Sequence, residues 1–270
     1  MKRHLERATA ILFATAMTVA GCGGGGGGNS TAIQPPPEPP PIGGIEGTGL
    51  AVGVISGFGS VIVNGVRYDT SDATITVDDS PGSESDLAVG QVIVLTGSVD
   101  DDGTTGTADT IDFDAEVEGP IASIAADGHS FVVLGQSVLI DDDTVYDNSL
   151  ALPLQVEDEI EVSGFRQADG TILATRIETQ TPGSELEVKG TVVNLDAASL
   201  VFNVGTLTVD YSAATLEDFP GGEIGEGDPV EVHGTGFNAQ NQLEATRVEF
   251  EDDGIDGEDY VRAAQFDFTR

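Results

Sequence analysis

Any chemistry in this chain would have to come from carboxylates. Its 270 residues hold 47 Asp and Glu against 10 Lys and Arg, with three His, one Cys and no Trp. A Ser or Cys nucleophile needs a base within reach. Beyond the first 22 residues the only imidazoles are His129 and His233. His129 follows Asp127-Gly128 in a turn-like stretch. His233 occupies a position held by Ser163 and Thr96 in related segments, so it reads as an interchangeable surface residue. No HExxH, GxSxG, phosphate loop or dinucleotide fingerprint is present. Paired carboxylates could cleave glycosidic bonds, but with this many acids pairs arise everywhere, and a solvated acidic surface is the simpler expectation. Acidic turns at Asp100-Asp101-Asp102-Gly103, at Asp141-Asp142-Asp143 and from Glu251 to Asp259 offer oxygen ligands for Ca²⁺. None has the EF-hand spacing, and Asp-Gly is also ordinary turn chemistry. The residues therefore specify no catalytic group, no metal ligand set and no cofactor, with Ca²⁺ a weak possibility.

The elements that would position these groups repeat. Val61-Ile62-Val63-Asn64-Gly65, Phe131-Val132-Val133-Leu134-Gly135 and Val201-Phe202-Asn203-Val204-Gly205 place three hairpin-type glycines 70 residues apart. Asn-Gly between β-rich runs is a strong hairpin signal, because both central residues of a type I′ turn need positive φ. A second set is Val92 to Gly97, Ile160 to Phe165 and Val230 to Gly234. A third is Ala174-Thr175-Arg176-Ile177-Glu178 with Ala245-Thr246-Arg247-Val248-Glu249, echoed weakly by Ala108-Asp109-Thr110-Ile111-Asp112. Copy one is read as placing Asp109 where the others have Arg176 and Arg247, which argues against a shared role for the arginine. Internal ion pairs with neighbouring acids are the expected use of both. Copies also open alike, with Glu116-Val117-Glu118-Gly119 and Glu187-Val188-Lys189-Gly190.

Alternation such as Ile160-Glu161-Val162 places one face on a core and the other in water. Each copy reads as five short strands, with at most one helical turn between the third and fourth. Five strands in about 70 residues fit a small OB-like barrel better than a seven-stranded sandwich of about 100 residues. The expected fold is all-β, with three tandem OB-like barrels at 46–115, 116–180 and 181–250. The rival is a continuous array in which neighbouring copies exchange strands. Residues 251–270 form an acidic tail or a final strand.

Net charge narrows the partners. At −37 the chain repels phosphate backbones, since nucleic-acid affinity rests on basic side chains displacing counterions. By copy the acids number 13, 13 and 12, an even spread that fits a general surface property better than one active site.

Residues 1–21 read as a signal. Lys2, Arg3 and Arg7 precede the uncharged run Ala8 to Ala20, too short to span a bilayer as a helix. Val19-Ala20-Gly21-Cys22 resembles the lipobox of bacterial lipoproteins. The resemblance implies cleavage after Gly21, lipidation of Cys22 and, with Gly23 rather than Asp next, sorting to the outer membrane. Residues 22–45 open with a run of six glycines, Gly23 to Gly28, followed by a Pro-rich stretch, a flexible then stiff tether. Lipobox, tether and repeats closing in Ala-Thr-Arg together resemble bacterial lipoproteins that carry a tandem domain of unknown function. That family implies no activity. The expected function is a non-enzymatic scaffold or binding module of the bacterial cell envelope, meeting membrane lipid through Cys22 and envelope proteins, oligosaccharide or cations through its barrels. The alternative is a polysaccharide hydrolase using an Asp/Glu pair.

Overall fold

Strand formation follows the alternation. The computed structural model describes residues 49–251; Cys22, the signal, the tether and all but the first residue of the acidic tail lie outside them. Repeat 1 runs β1 (Leu50–Gly57), β2 (Val61–Val63), β3 (Val66–Asp69), β4 (Thr74–Val77), β5 (Ser80–Pro81), a 3-10 turn at Glu84–Asp86, β6 (Val92–Val99) and β7 (Thr105–Phe113). Repeat 2 runs β8 (Val117–Ile124), β9 (Ser130–Val133), β10 (Gln136–Leu139), β11 (Val145–Tyr146), β12 (Glu159–Arg166) and β13 (Ile172–Thr179). Repeat 3 runs β14 (Leu186–Asp196), β15 (Val201–Val204), β16 (Leu207–Asp210), β17 (Thr215–Glu217), β18 (Pro229–Phe237) and β19 (Leu243–Phe250).

Each repeat closes in the same way. In repeat 1 the meander β1-β2-β3 is antiparallel, β6 pairs antiparallel with both β1 and β7, and β3 pairs parallel with β7 to seal the barrel. The parallel seals of repeats 2 and 3 are β10–β13 and β16–β19. This is the five-stranded, OB-like order. The third strand is split, however. After a bend, β4, β11 and β17 run parallel to the far half of the last strand. Asn64 (φ 52°) and Gly65 (φ 81°) make the expected type I′ turn. The spacing of glycines misaligns copy three: Gly205 (φ 57°) is the first turn residue there, whereas Gly135 (φ 73°) is the second in copy two. The strand register likewise corrects the closing motif. Thr96 faces Thr110, Ser163 faces Arg176 and His233 faces Arg247. Thr110, and not Asp109, therefore stands where the arginines stand.

Repeats 2 and 3 are more than neighbours. Val117 and Glu118 of β8 pair with Val188 and Glu187 of β14, which makes their barrels one 12-stranded sheet. Each barrel keeps its own closure, so the junction adds an edge pairing without exchange of strands. Val162, Val117, Val188 and Val232 stand in register across it, all wholly buried. The cores of repeats 2 and 3 therefore merge, while repeat 1 has a separate core around Tyr68, Leu95, Ile111 and Phe113. Burying a Val side chain contributes roughly 1.5–3 kcal/mol, so this single row carries much of the fusion.

Candidate functional site

The residues alternating with that apolar row point to the opposite face of the sheet. Read across β13, β12, β8, β14, β18 and β19, directly facing residues are Glu178, Glu161, Glu118, Glu187, His233 and Arg247. Like charges directly opposite are destabilising, yet three successive pairs here are Glu on Glu. The tip of the β4–β5 hairpin of repeat 1 reaches this face. Asp78 and Asp79 are its two turn residues, both at positive φ (45° and 56°), a conformation that Asp tolerates better than most residues. The acidic row is thus a place where all three repeats meet, and its centre is buried: Glu118 is 7% exposed, Glu187 5% and His233 5%, with Glu231 two residues before His233 at 2%. Both surface readings are corrected here. His233 is not an interchangeable surface residue, and part of the carboxylate surplus is interior.

Two clusters share the junction. In the first, His233 Nε2 lies 3.0 Å from Glu231 Oε1, and Arg247 lies against His233 and pairs with Asp79. Lys189 completes it, its Nζ lying 3.3 Å from Glu231, 3.5 Å from Glu251 and 3.7 Å from Asp114. In the second, Asp78, Glu118 and Glu161 each bring one carboxylate oxygen within 4.8 Å of the others. The Gln180 amide donates to Glu118 (2.8 Å) and Glu161 (3.2 Å). Among the described residues no basic side chain forms an ion pair with any of the three.

Burial raises most carboxylates of both clusters, Asp114 and Glu251 included, and Glu231 is the exception. Burial pushes Asp78 up to about 6, with Asp114 adding to it. Burial also pushes Glu118 up to about 7 and Glu161 to about 9, each raised further by its acidic neighbours. Glu187 is raised well above the usual range by burial and by Glu231. Burial acts on Glu231 too, but the His233 hydrogen bond and the Lys189 ammonium outweigh it and hold that carboxyl well below the usual range.

The other predicted groups separate cleanly. Arg176 pairs with Glu178 (2.7 Å) and Asp147 (3.3 Å) and donates to the Val89 carbonyl of repeat 1 (3.0 Å). Arg247 pairs with Glu249 (2.7 Å). Both arginines are thus internal ion-pair residues. His129 is exposed, its backbone N–H donating to Asp127. The two predicted acidic turns among the described residues, at Asp100 to Gly103 and Asp141 to Asp143, satisfy themselves. Asp102 accepts the N–H groups of Thr104 and Thr105, Asp100 accepts the Thr105 hydroxyl, and Asp141 accepts the Asp143 N–H. Backbone hydrogen bonds lower the Asp102 pKa, so this carboxylate is stabilised locally without an ion. Asp78 and Glu161, which sequence reasoning did not single out, left one signal. Glu118 and Lys189 occupy matching places in the openings of copies two and three.

Three closed five-stranded barrels in tandem, two of them fused through their edges, define an all-β repeat protein. The family model described as Domain of unknown function (DUF5666) matches residues 51–112, 118–178 and 183–249, one match per barrel, and the chain belongs to this family. No curated protein matches it significantly. A solved structure described as Drosophila Unr CSD456 is similar at 18% identity over 69% of this chain and 84% of that one, with a TM-score of 0.22. At that score the likeness decides nothing about ligands.

Proposed function

We propose that the protein is a lipid-anchored, non-enzymatic scaffold or binding module of the bacterial envelope, tethered to the outer membrane through Cys22. The observation that carries this reading is that three family repeats form one compact unit, two of them fused through their edges, behind a lipobox and a Gly/Pro tether. Such a body presents a fixed surface at the end of a leash. Its candidate binding surface is a cleft between repeats 1 and 2, walled by Val54, Val89, Val145 and Phe165, with Asp141 and Asp143 among its lining residues. The Thr175 hydroxyl in that lining has no hydrogen-bond partner. Apolar walls with carboxylates suit a protein segment carrying basic residues better than an anionic polymer.

The hydrolase reading is weaker. Glu118 and Glu161 have the raised pKa values of a catalytic acid, but they lie under the β4–β5 hairpin and do not line the cleft. A polysaccharide must reach both acids at once. Fractionation of cells expressing wild type and Cys22→Ala tests the proposal. The variant is expected in soluble or unprocessed form, and processed variant retained in the membrane overturns the anchoring.

A further inference from the structure

Repeats 2 and 3 carry the same ionic motif with one exchange. Residues 116–119 match 187–190, so Glu118 corresponds to Lys189; Glu161 corresponds to Glu231, and Gln180 to Glu251. In repeat 3 the Lys189 ammonium sits among Glu231, Glu251 and Asp114. In repeat 2 a carboxylate takes the place of that ammonium, and Asp78 of repeat 1 adds a third acid. We propose that Asp78, Glu118 and Glu161 bind one hard divalent cation, calcium in kind, which does in repeat 2 what the Lys189 ammonium does in repeat 3.

Unmatched oxygens support this independently of the charge. Asp78 Oδ1 and Glu161 Oε1 are sealed from solvent and accept no hydrogen bond. Ser163, 2% exposed, follows Glu161 by two residues on the same strand, and its hydroxyl also lacks a partner. Its counterpart in repeat 3 is His233, which reaches 3.0 Å from Glu231, the counterpart of Glu161. Glu187, 5% exposed and facing Glu118 across the sheet, has an unpartnered Oε1 as well. Leaving a buried acceptor unmatched costs about 1–3 kcal/mol, so the bare oxygens of Asp78 and Glu161, with the unpartnered Ser163 hydroxyl on the same face of β12, call for a shared partner of positive charge. The ligands are all oxygen, which selects a hard ion over zinc or copper. Three carboxylates, two from neighbouring strands and one from a hairpin turn, form an irregular set, which suits Ca²⁺ with its six to eight flexible contacts better than octahedral Mg²⁺. The neighbouring Asp79–Glu231–His233 group is a poor competitor, because Arg247 and Lys189 already neutralise it.

The test uses the full chain with Cys22→Ala, stripped with chelator and dialysed against CaCl2 or against NaCl of equal ionic strength. Wild type is expected to retain one equivalent of Ca²⁺ and to gain about 5 °C in Tm at 100-fold excess over Kd. Glu118→Lys supplies the ammonium internally. It should raise the Tm of the chelated protein and abolish both the bound equivalent and the Ca²⁺ response. Glu161→Gln should lose the equivalent without gaining the ammonium, which keeps the test decisive if the lysine variant does not fold. Asp101→Asn, on the exposed β6–β7 turn, should bind like wild type. A Ca²⁺ effect no larger than that of NaCl, or one equivalent retained by Glu118→Lys or Glu161→Gln, overturns the proposal.

Discussion

Glu118 of β8 stands directly across from Glu187 of β14, so the pairing that fuses repeats 2 and 3 brings two buried carboxylates face to face. The valines beside them, Val117 and Val188, supply the attraction. The glutamates set a condition on it, because the pair is tolerated only while its charge is neutralised.

Replacing one of them by its neutral isostere therefore has a pH-dependent effect. In chelated protein, Glu187→Gln is expected to gain stability over wild type as pH rises from 5 to 8, because burial and Glu231 raise the acid's pKa in the fold while the unfolded chain ionises it. Urea unfolding at the two pH values measures the difference.

The same logic fixes the slope of stability against pH without divalent cation. Asp78, Glu118 and Glu161 have folded pKa values of about 6, 7 and 9, all above their unfolded values. Each is neutral in the fold and ionised in the unfolded chain between its two pKa values, so the unfolded state binds fewer protons. Stability is expected to fall as pH rises from about 5 to 9, by about 1.4 kcal/mol per pH unit for each group in its window. Unfolding midpoints across that range in chelator check the sign.

Lys189 is the internal cation of the repeat 3 cluster. Lys189→Met keeps the stem and removes the ammonium, leaving Glu231, Glu251 and Asp114 uncompensated. A loss of about 3 kcal/mol is expected, read as a lower urea midpoint at pH 7. Lys189→Arg should recover part of it.

A second contact holds repeats 2 and 3 away from the acids. The Thr206 hydroxyl donates to the Gly135 carbonyl (2.7 Å), and a Cβ on Gly135 would lie 2.4 Å from the Leu207 nitrogen. Gly135 also has positive φ. Gly135→Ala is expected to cost about 2 kcal/mol or more through strain and forced separation of the two hairpins, whereas Gly65→Ala, which meets only open space, should pay the φ penalty alone.

Much of this architecture was legible in the residues. Asn64-Gly65 and the alternation of Ile160-Glu161-Val162 contain the hairpins and the core face, and the 70-residue period contains the number of barrels. The split third strand was not legible, because β11 is two residues long and Val145 pairs only with Arg176, far along the chain. The acidic junction was hidden for a different reason. Alternation says that Glu161 and His233 leave the barrel core, but not what covers the face they join. The cover is Asp78 and Asp79, more than 80 residues upstream of Glu161, and their turn reads locally as one more solvated acidic loop. The exchange of Glu118 for Lys189 was visible, but its meaning depends on knowing that both positions are buried.

Cooperative unfolding tests the central claim, that three repeats form one body, repeats 2 and 3 fastened by a shared core and repeat 1 by the acidic junction. Differential scanning calorimetry of the lipid-free chain with Ca²⁺ is predicted to show a single transition, with calorimetric and van't Hoff enthalpies equal. Three resolved transitions, or a calorimetric enthalpy about three times the van't Hoff value, would show three independent barrels on a string and contradict it.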